Sequence, residues 1–134
     1  MKHRYELQLR YSDSDQMGVV YHANYFSFFE LGRTAMLREH GIDYYDIERR
    51  GFMFPVRDVD CTYLKPITLG EQIFCETELV ELTKVKIAFE HKLLDRAGEI
   101  KAIGHSSIVA VRKDDFRIIR MDEHLPDVFA LKDI

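Results

Sequence analysis

One long amphipathic helix is predicted between residues 24 and 40, and it constrains the fold more than any other feature of this sequence. Its apolar positions recur at spacings of three and four, as in a helix with one buried face: Tyr25, Phe28, Phe29, Gly32, Ala35 and Met36. Asn24 suits the N-cap of this helix, and Gly41 suits the C′ position that ends it. A single helix of this length is not stable alone in water, so its apolar stripe must be covered by the rest of the chain.

Strand patterns surround this helix and predict what covers it. Apolar and polar residues alternate in a first strand that contains Tyr5, Leu7, Leu9 and Tyr11. After a short helical segment at 44–50, strands are predicted at 54–64, 71–82, 84–94 and 99–112, with a short return strand at 116–119. Short loops favour antiparallel hairpins between neighbouring strands. We therefore expect an α+β fold in which a curved antiparallel sheet wraps around one central helix.

Two positions sharpen this expectation. Gly32 costs the helix about 1 kcal/mol relative to alanine, which indicates that another backbone approaches closely there. In the strand at 84–94, His91 falls on the same face as Ile87, Phe89 and Leu93, so this face is expected to point into the core.

Composition limits the class of protein. A chain of 134 residues with 46% hydrophobic residues suits one domain, which we place at 1–134. The net charge of −4 argues against a nucleic-acid surface, and no apolar run is long enough for a signal peptide or a membrane span. The two cysteines, Cys61 and Cys75, predict neither a disulfide framework nor a structural zinc site. We expect a soluble cytoplasmic protein.

The loop between the first strand and the helix holds the candidate chemistry. It contains two acids, Asp13 and Asp15, a glycine and His22. Backbone N–H groups at a helix start can bind an anion or polarise a carbonyl, and an acid just upstream would complete a hydrolytic site. The same aspartates could instead form Asx turns or cap backbone amides, or together hold a divalent cation, although no further ligand set is evident. His22 could orient a substrate or be a structural group.

Residues 11–34 read YSDSDQMGVVYHANYFSFFELGRT, and this run resembles the signature of the 4-hydroxybenzoyl-CoA thioesterase family of hot-dog-fold proteins. The later run CTYLKP at 61–66, the strand order and Leu125-Pro126 resemble the acyl-CoA thioesterase branch, so the similarity covers nearly the whole chain. The resemblance implies hydrolysis of an acyl-CoA thioester to a carboxylic acid and free CoA. It also implies active sites at a dimer interface, commonly in a homotetramer, and no metal or redox cofactor.

The resemblance assigns roles to particular residues. Asp15 is expected to be the catalytic carboxylate, either as nucleophile or as general base. Residues at the helix start are expected to position the substrate and polarise its carbonyl: His22, Ala23, Asn24 and Tyr25. Glu30 is a possible second acid, although an ion pair with Arg33 is the simpler interpretation. Residues near the turn before the third long strand are expected at the nucleotide end of CoA, with pairing to Glu76 or Glu78 as the alternative for the lysines: Thr83, Lys84 and Lys86.

Two other functions remain open at this point. One is a non-catalytic module that binds acyl-CoA or acyl carrier protein, and the other is a hot-dog dehydratase or hydratase. The aromatic residues around the motif, with Met17, predict an apolar acyl pocket for short-to-medium aliphatic or aromatic groups. Because no buried cation is evident, we expect a second carboxylate on the acyl group to be rejected.

Overall fold

The computed structural model describes residues 1–15 and 18–134, so Met17 lies outside the described residues. A five-stranded antiparallel sheet contains β1 (Lys2–Glu6), β3 (Val56–Tyr63), β4 (Ile73–Leu82), β5 (Lys86–Asp95) and β6 (Ile100–Val109), in the order β1-β4-β5-β6-β3. Helix α1 (Tyr25–Glu39) packs across this sheet, mainly against β1 and β4, and its side chains also reach β6. This is the predicted α+β hot-dog fold, a sheet wrapped around one long helix.

Smaller elements complete the chain. Helix α2 (Tyr44–Arg49) is followed by β2 (Phe52–Met53), which pairs with β7 (Val111–Arg112) in a two-stranded sheet. Two short helices, α3 (Met121–His124) and α4 (Pro126–Phe129), lie near the end of the chain. Turns of 3₁₀ helix occupy Tyr11–Asp13, His22–Asn24 and Ala130–Asp133. None of the helices in the described part of the chain is both long and apolar enough to cross a bilayer.

The long helix was predicted to within one residue at each end. Gly41 has a φ of +83° and its N–H donates to the carbonyl of Arg38, so its predicted role in ending the helix is confirmed. The predicted N-cap at Asn24 is wrong in its chemistry. The preceding 3₁₀ turn already gives Asn24 helical angles, and its side chain makes no cap hydrogen bond. Its Nδ2 instead donates to the carbonyl of Asp13 at 2.9 Å, which ties the helix start to the loop before it.

The strand predictions needed three corrections. The first strand lies earlier than predicted, because Tyr11 belongs to a 3₁₀ turn and is 86% exposed. The strand β3 does not form a hairpin with β4 but pairs with β6 at the far edge of the sheet, a long-range pairing that local pattern cannot specify. The predicted return strand at 116–119 is reduced to one isolated bridge, between Val111 and Ile118.

The core lies between helix α1 and the inner face of the sheet. As predicted, Ile87, Phe89, His91 and Leu93 point inward and are fully buried. The close approach at Gly32 comes from side chains rather than backbone, since an added Cβ would lie 2.6 Å from Cys75 Sγ.

A polar chain crosses this core. Arg33 Nη1 donates to Ser106 Oγ at 3.1 Å, Ser106 Oγ lies 2.8 Å from His91 Nε2, and His91 Nδ1 lies 3.0 Å from Thr77 Oγ1. The His91 ring stacks on Phe29 with ring centroids 4.6 Å apart, and Gly104 of β6 leaves room for that phenyl ring. Burial, with the nearby Arg33 charge, lowers the pKa of His91 to about 3, so the imidazole is neutral.

Candidate active site

Asp15 lies in a tight loop whose backbone closes on itself. Its N–H donates to the carbonyl of Val19 at 2.8 Å, and the N–H of Val19 donates to Asp15 Oδ1 at 3.4 Å. Gly18 takes a φ of +80° in this loop, a conformation that other residues adopt at a cost. The carboxylate is half-buried and its position is therefore set by the loop backbone.

Asp13 anchors the same loop from its other side. Its side chain is buried and accepts hydrogen bonds from the N–H of Arg10 at 2.8 Å and from the guanidinium of Arg10 at 3.4 Å. This is the backbone-capping role that was one of its predicted alternatives. Within 1–15 and 18–134, no group of three or more histidine, cysteine, aspartate or glutamate side chains is placed to hold a metal ion.

The backbone donors at the helix start divide into two pairs. The N–H of Asn24 donates to the carbonyl of Tyr21, and the N–H of Tyr25 donates to the carbonyl of His22. The N–H groups of His22 and Ala23 open the 3₁₀ turn, and we find no acceptor for them among the described residues. Of the four predicted positions, His22 and Ala23 are therefore the two whose backbone donors are not used within the described residues.

A cleft of about 310 Å³ joins Asp15 to this helix start. We name it the Asp15 cleft, and it is lined by Asp15, Val20, His22, Tyr25, Tyr63 and Lys65, among others. Tyr63 donates from its hydroxyl to the carbonyl of His22 at 2.8 Å, which fixes the turn against strand β3. The Tyr25 ring packs edge-on to Tyr63 at 4.8 Å, and burial raises the pKa of both phenols, so both stay protonated at neutral pH.

Glu30 lies in a second cleft, of about 330 Å³, between α1, α2 and the start of β3. We name it the Arg33 cleft, and its lining includes Glu30, Arg33, Tyr44, Phe52, Phe54 and Val56. The expected ion pair between Glu30 and Arg33 is not formed in the part of the chain that the structure describes. Glu30 is exposed, whereas Arg33 is buried on the core side of the helix because it follows Phe29 by four residues.

The predicted CoA-binding residues lie at the other end of the sheet from Asp15 within one subunit. Lys86, the first residue of β5, pairs with Val109 at the end of β6, whereas Tyr63, the last residue of β3, pairs with Ala102 of β6. The two positions on β6 are about seven residues, or about 20 Å, apart along the sheet. Thr83 and Lys84 belong to the preceding turn. The ammonium of Lys86 pairs with Glu81 at 2.6 Å, not with Glu76 or Glu78. Lys84 forms no ion pair with any residue that the structure describes, which makes it the stronger of the two lysine candidates.

Sequence reasoning missed three residues of these clefts. Arg33 was considered only as an ion-pair partner of Glu30, although its position four residues after Phe29 and three before Met36 indicates the buried face. Tyr63 and Lys65 lie within the CTYLKP run, but no local pattern indicates that the end of this strand meets the helix start. Lys65 is half-exposed and pairs with Glu99 at 2.7 Å.

The chain is similar to known thioesterases in sequence and in fold. The sequence model of the thioesterase superfamily matches residues 17–102. YneP of Bacillus subtilis, named as a proposed acyl-CoA thioesterase, is 36% identical over 122 residues, which cover 91% of this chain and 88% of that protein. The acyl-CoA thioester hydrolase YbgC of Escherichia coli is 27% identical, covering 86% of this chain and 84% of that protein.

A solved structure gives the same result for the fold. The DHNA-CoA thioesterase of Staphylococcus aureus superposes with a TM-score of 0.94 at 28% identity, covering 98% of this chain and 89% of that chain. The family match spans more than half of the chain, and the similarity to YneP extends over nearly all of it. This chain therefore belongs to the thioesterase superfamily.

Proposed function

We propose that this enzyme hydrolyses acyl-CoA thioesters to a carboxylic acid and free CoA, with Asp15 as nucleophile or general base. One observation supports this assignment more than any other. Asp15 and His22 line the same cleft, and the N–H groups of His22 and Ala23 have no acceptor among the described residues. A carboxylate and a pair of backbone donors are the two parts that thioester hydrolysis needs.

The chemistry follows from these two parts. The thioester carbonyl accepts hydrogen bonds from the N–H groups of His22 and Ala23, which stabilise the negative charge that develops on its oxygen. Asp15 either takes a proton from the attacking water or attacks the carbonyl carbon itself, giving an anhydride that water then cleaves. In both routes the C–S bond breaks and the thiolate of CoA leaves. The names of YneP and YbgC support acyl-CoA as the substrate.

The complete site forms between two subunits. Strand β3 is an edge strand that pairs only with β6 among the described strands, and its side chains Val56, Val59 and Tyr63 are exposed. The Arg33 cleft lies at the start of β3 and the Asp15 cleft at its end. A two-fold axis that pairs β3 with its copy in antiparallel fashion removes this open edge, and it brings the Arg33 cleft of one subunit beside the Asp15 cleft of the other.

In this arrangement 1–134 acts as a single domain within a homodimer or homotetramer. Thr83, Lys84 and Lys86, at the Arg33 end of the sheet, come near the Asp15 cleft of the partner subunit and contact the nucleotide of CoA there. Both cysteines are free thiols, as expected of a protein that works in the reducing cytoplasm.

Release of free thiol from a panel of acyl-CoAs tests the reaction directly. We expect turnover with CoA thioesters, and an acyl carrier protein thioester in the same panel shows whether the carrier changes the rate. Binding of acyl-CoA without thiol release would instead identify a non-catalytic binding module. Addition of water to an enoyl-CoA without thiol release would identify a hydratase.

Mixed dimers test the shared site. A subunit carrying Asp15→Asn is co-expressed with a subunit carrying Met53→Trp, which fills the Arg33 cleft, and heterodimers are purified through two different tags. Each heterodimer then has one intact and one doubly damaged site, so we expect about half of the wild-type activity from two nearly inactive parents. Activity no higher than that of the parents would place the whole site within one subunit.

A further inference from the structure

Tyr63, the last residue of β3, makes a hydrogen bond that reaches the start of the long helix. Its hydroxyl donates to the carbonyl oxygen of His22 at 2.8 Å. This carbonyl and the N–H of Ala23 belong to one planar peptide group, and that N–H is one of the two backbone donors with no acceptor among the described residues. Tyr63 therefore binds the oxygen end of the peptide group whose N–H end serves the proposed reaction.

The hydroxyl of Tyr63 is committed to this bond. A phenol has one O–H to donate, and here it is donated to His22. Burial, with the neighbouring Cys61 thiol, raises the pKa of Tyr63, so the hydroxyl keeps its proton at neutral pH. The ring lines the Asp15 cleft, but its only donor cannot serve a substrate while it serves the His22 carbonyl. The hydroxyl thus acts on the peptide group rather than on the substrate.

The sheet sets the position of this hydroxyl. Tyr63 pairs with β6, and the next two N–H groups, of Leu64 and Lys65, both donate to the carbonyl of Lys101 at 2.9 and 3.0 Å. The ring of Tyr63 packs edge-on to Tyr25, with ring centroids 4.8 Å apart. Because backbone and ring are both held, the hydrogen bond joins a rigid part of the sheet to the 3₁₀ turn at the helix start.

Hydrogen bonds at the carbonyl of a peptide group strengthen its N–H as a donor. The carbonyl of His22 accepts from two groups, the hydroxyl of Tyr63 and the N–H of Tyr25, and its two lone pairs allow both. Linked hydrogen bonds polarise one another, so these two bonds make the N–H of Ala23 more positive. They also fix the plane of the peptide group and hence the direction of that N–H. A donor that is oriented in advance is what a developing oxyanion needs.

We propose that Tyr63 is a positioning residue for thioester hydrolysis, whose hydroxyl holds and polarises the peptide group between His22 and Ala23. The N–H of Ala23 then stabilises the charge that develops on the thioester oxygen. This inference rests on the proposed function, because it needs a thioester oxygen at the helix start. The oxygen carries more charge in the transition state than in the bound substrate, so loss of the hydroxyl lowers kcat more than it raises KM.

A single substitution tests the effect on the rate. Tyr63→Phe keeps the ring and removes only the hydroxyl, and the substrate is whichever of butyryl-, hexanoyl- and benzoyl-CoA the wild-type protein hydrolyses fastest. We expect kcat to fall by about 3- to 10-fold with KM within about twofold, because a bond one step from the substrate contributes less than the oxyanion donor itself. Tyr45→Phe removes an exposed hydroxyl on α2 and is the matched control, with both constants as in wild type.

Infrared spectroscopy reports on the donor itself. The same three thioesters, labelled with ¹³C at the carbonyl, are bound to Asp15→Asn, and difference spectra against the unlabelled compounds give the carbonyl stretching band. Hydrogen bonds to the carbonyl oxygen move this band to lower frequency. We expect binding to Asp15→Asn to produce that shift, and the added change Tyr63→Phe to reverse part of it. A hydroxyl that only stabilised the fold would lower the Tm and leave the band in place.

Two results would overturn the inference: a wild-type kcat in Tyr63→Phe, or a band that does not move when Tyr63→Phe is added to Asp15→Asn. Thiol release by the wild-type protein together with either result would leave the proposed reaction standing and remove only the role of Tyr63. Partial reversal of the band shift, without thiol release from any of the three thioesters, would refute the reaction and keep the polarising contact. Failure of all three thioesters to bind would refute both.

Discussion

The Asp15 cleft and the Arg33 cleft differ in what holds their polar groups. In the first, a loop backbone sets the carboxylate of Asp15 and the donors of the helix start, and the ring of Tyr63 in its wall is partly open to solvent. In the second, a side-chain network in the core sets one guanidinium, and the wall is aromatic. This difference agrees with the proposed function, in which a carboxylate and donors set by the backbone act on the thioester, the group common to all substrates.

The largest effect is expected on kcat, from a substitution of Asp15 in the Asp15 cleft. Asp15→Asn keeps the size of the side chain but removes the base and nucleophile, so we expect kcat to fall by about 10² to 10⁴. The KM should change by less than about threefold, because an amide of nearly the same size should leave acyl-CoA binding largely intact. Steady-state thiol release measures both constants.

Asp114→Asn, in an exposed loop, is the control for that experiment and should behave as wild type. Near wild-type turnover in Asp15→Asn would assign the acid to Glu30, on the Arg33 side, and Glu30→Gln would then be the damaging change.

The second prediction concerns the backbone donors of the Asp15 cleft. Tyr21, with φ −63° and ψ 130°, suits a following proline, and position 22 opens the 3₁₀ turn, so His22→Pro can remove one N–H without disturbing the backbone. His22→Ala removes the same side chain and keeps the N–H. We expect His22→Pro to have a kcat about 10² to 10³ lower than His22→Ala, the usual effect of losing one oxyanion donor.

Equal rates for the two His22 variants, with circular dichroism spectra like that of the wild type, would mean that this N–H does not contact the carbonyl oxygen. The polarising donors would then have to come from elsewhere in the cleft.

The third prediction concerns the network that holds Arg33. The folded protein keeps His91 neutral with a pKa of about 3, whereas the unfolded chain has the ordinary value of 6.5. Below pH 6.5 the unfolded state therefore binds a proton that the folded state does not, and stability is lost as the pH falls. Between pH 6.5 and 5 this amounts to about 2 kcal/mol of unfolding free energy.

Denaturant unfolding at several pH values measures this slope. His91→Asn removes the titrating group and should flatten the slope over that interval, whatever its effect on stability at neutral pH. His40→Gln, at the end of the long helix, should keep the wild-type slope. An unchanged slope in His91→Asn would show that another group carries the acid sensitivity.

The smallest effect is expected from substitution of the lysines that are candidates to contact the nucleotide of CoA. Lys84 is exposed and forms no ion pair within the described residues, so it is available to a CoA phosphate, whereas Lys65 is already paired with Glu99. We expect Lys84→Met to raise the KM for acyl-CoA by about two- to fivefold at low salt without a change in kcat, and Lys65→Met to have less effect. A larger change in Lys65→Met would place the nucleotide at the Asp15 end of the same subunit.

The helix and the inward face of β5 could be predicted from sequence because their signals are local. Phe28, Phe29 and Met36 recur at helical spacing, and Ile87, Phe89 and His91 alternate, so each pattern reports its own buried face. The position of β3 could not be predicted this way. Its pairing with β6 depends on residues about forty-five positions away, such as Asp60 and His105, and the loops between them carry no signal for that contact.

The residues of the two clefts also divide into those with a local sequence signal and those without one. The loop acids and the helix start form one continuous run, so Asp15 and His22 could be placed together from sequence. Arg33 was misassigned because a neighbouring opposite charge suggested a surface ion pair, whereas Ser106 and His91, its actual surroundings, come from distant strands. On this helix, the spacing of the apolar residues therefore predicts which side chains are buried better than a neighbouring opposite charge does.

The absence of a side chain at Gly104 has a consequence for how such sequences can diverge. An added Cβ there would meet the ring of Phe29 and lie 2.6 Å from the carbonyl oxygen of Asp60, so position 104 accepts a larger residue only if the side chain at 29 shrinks and the backbone of the edge strand also shifts. Positions 29 and 104 therefore share one fixed volume. Among related chains we expect a residue larger than glycine at 104 only where the side chain at 29 is smaller than phenylalanine and the edge strand has moved away at position 60.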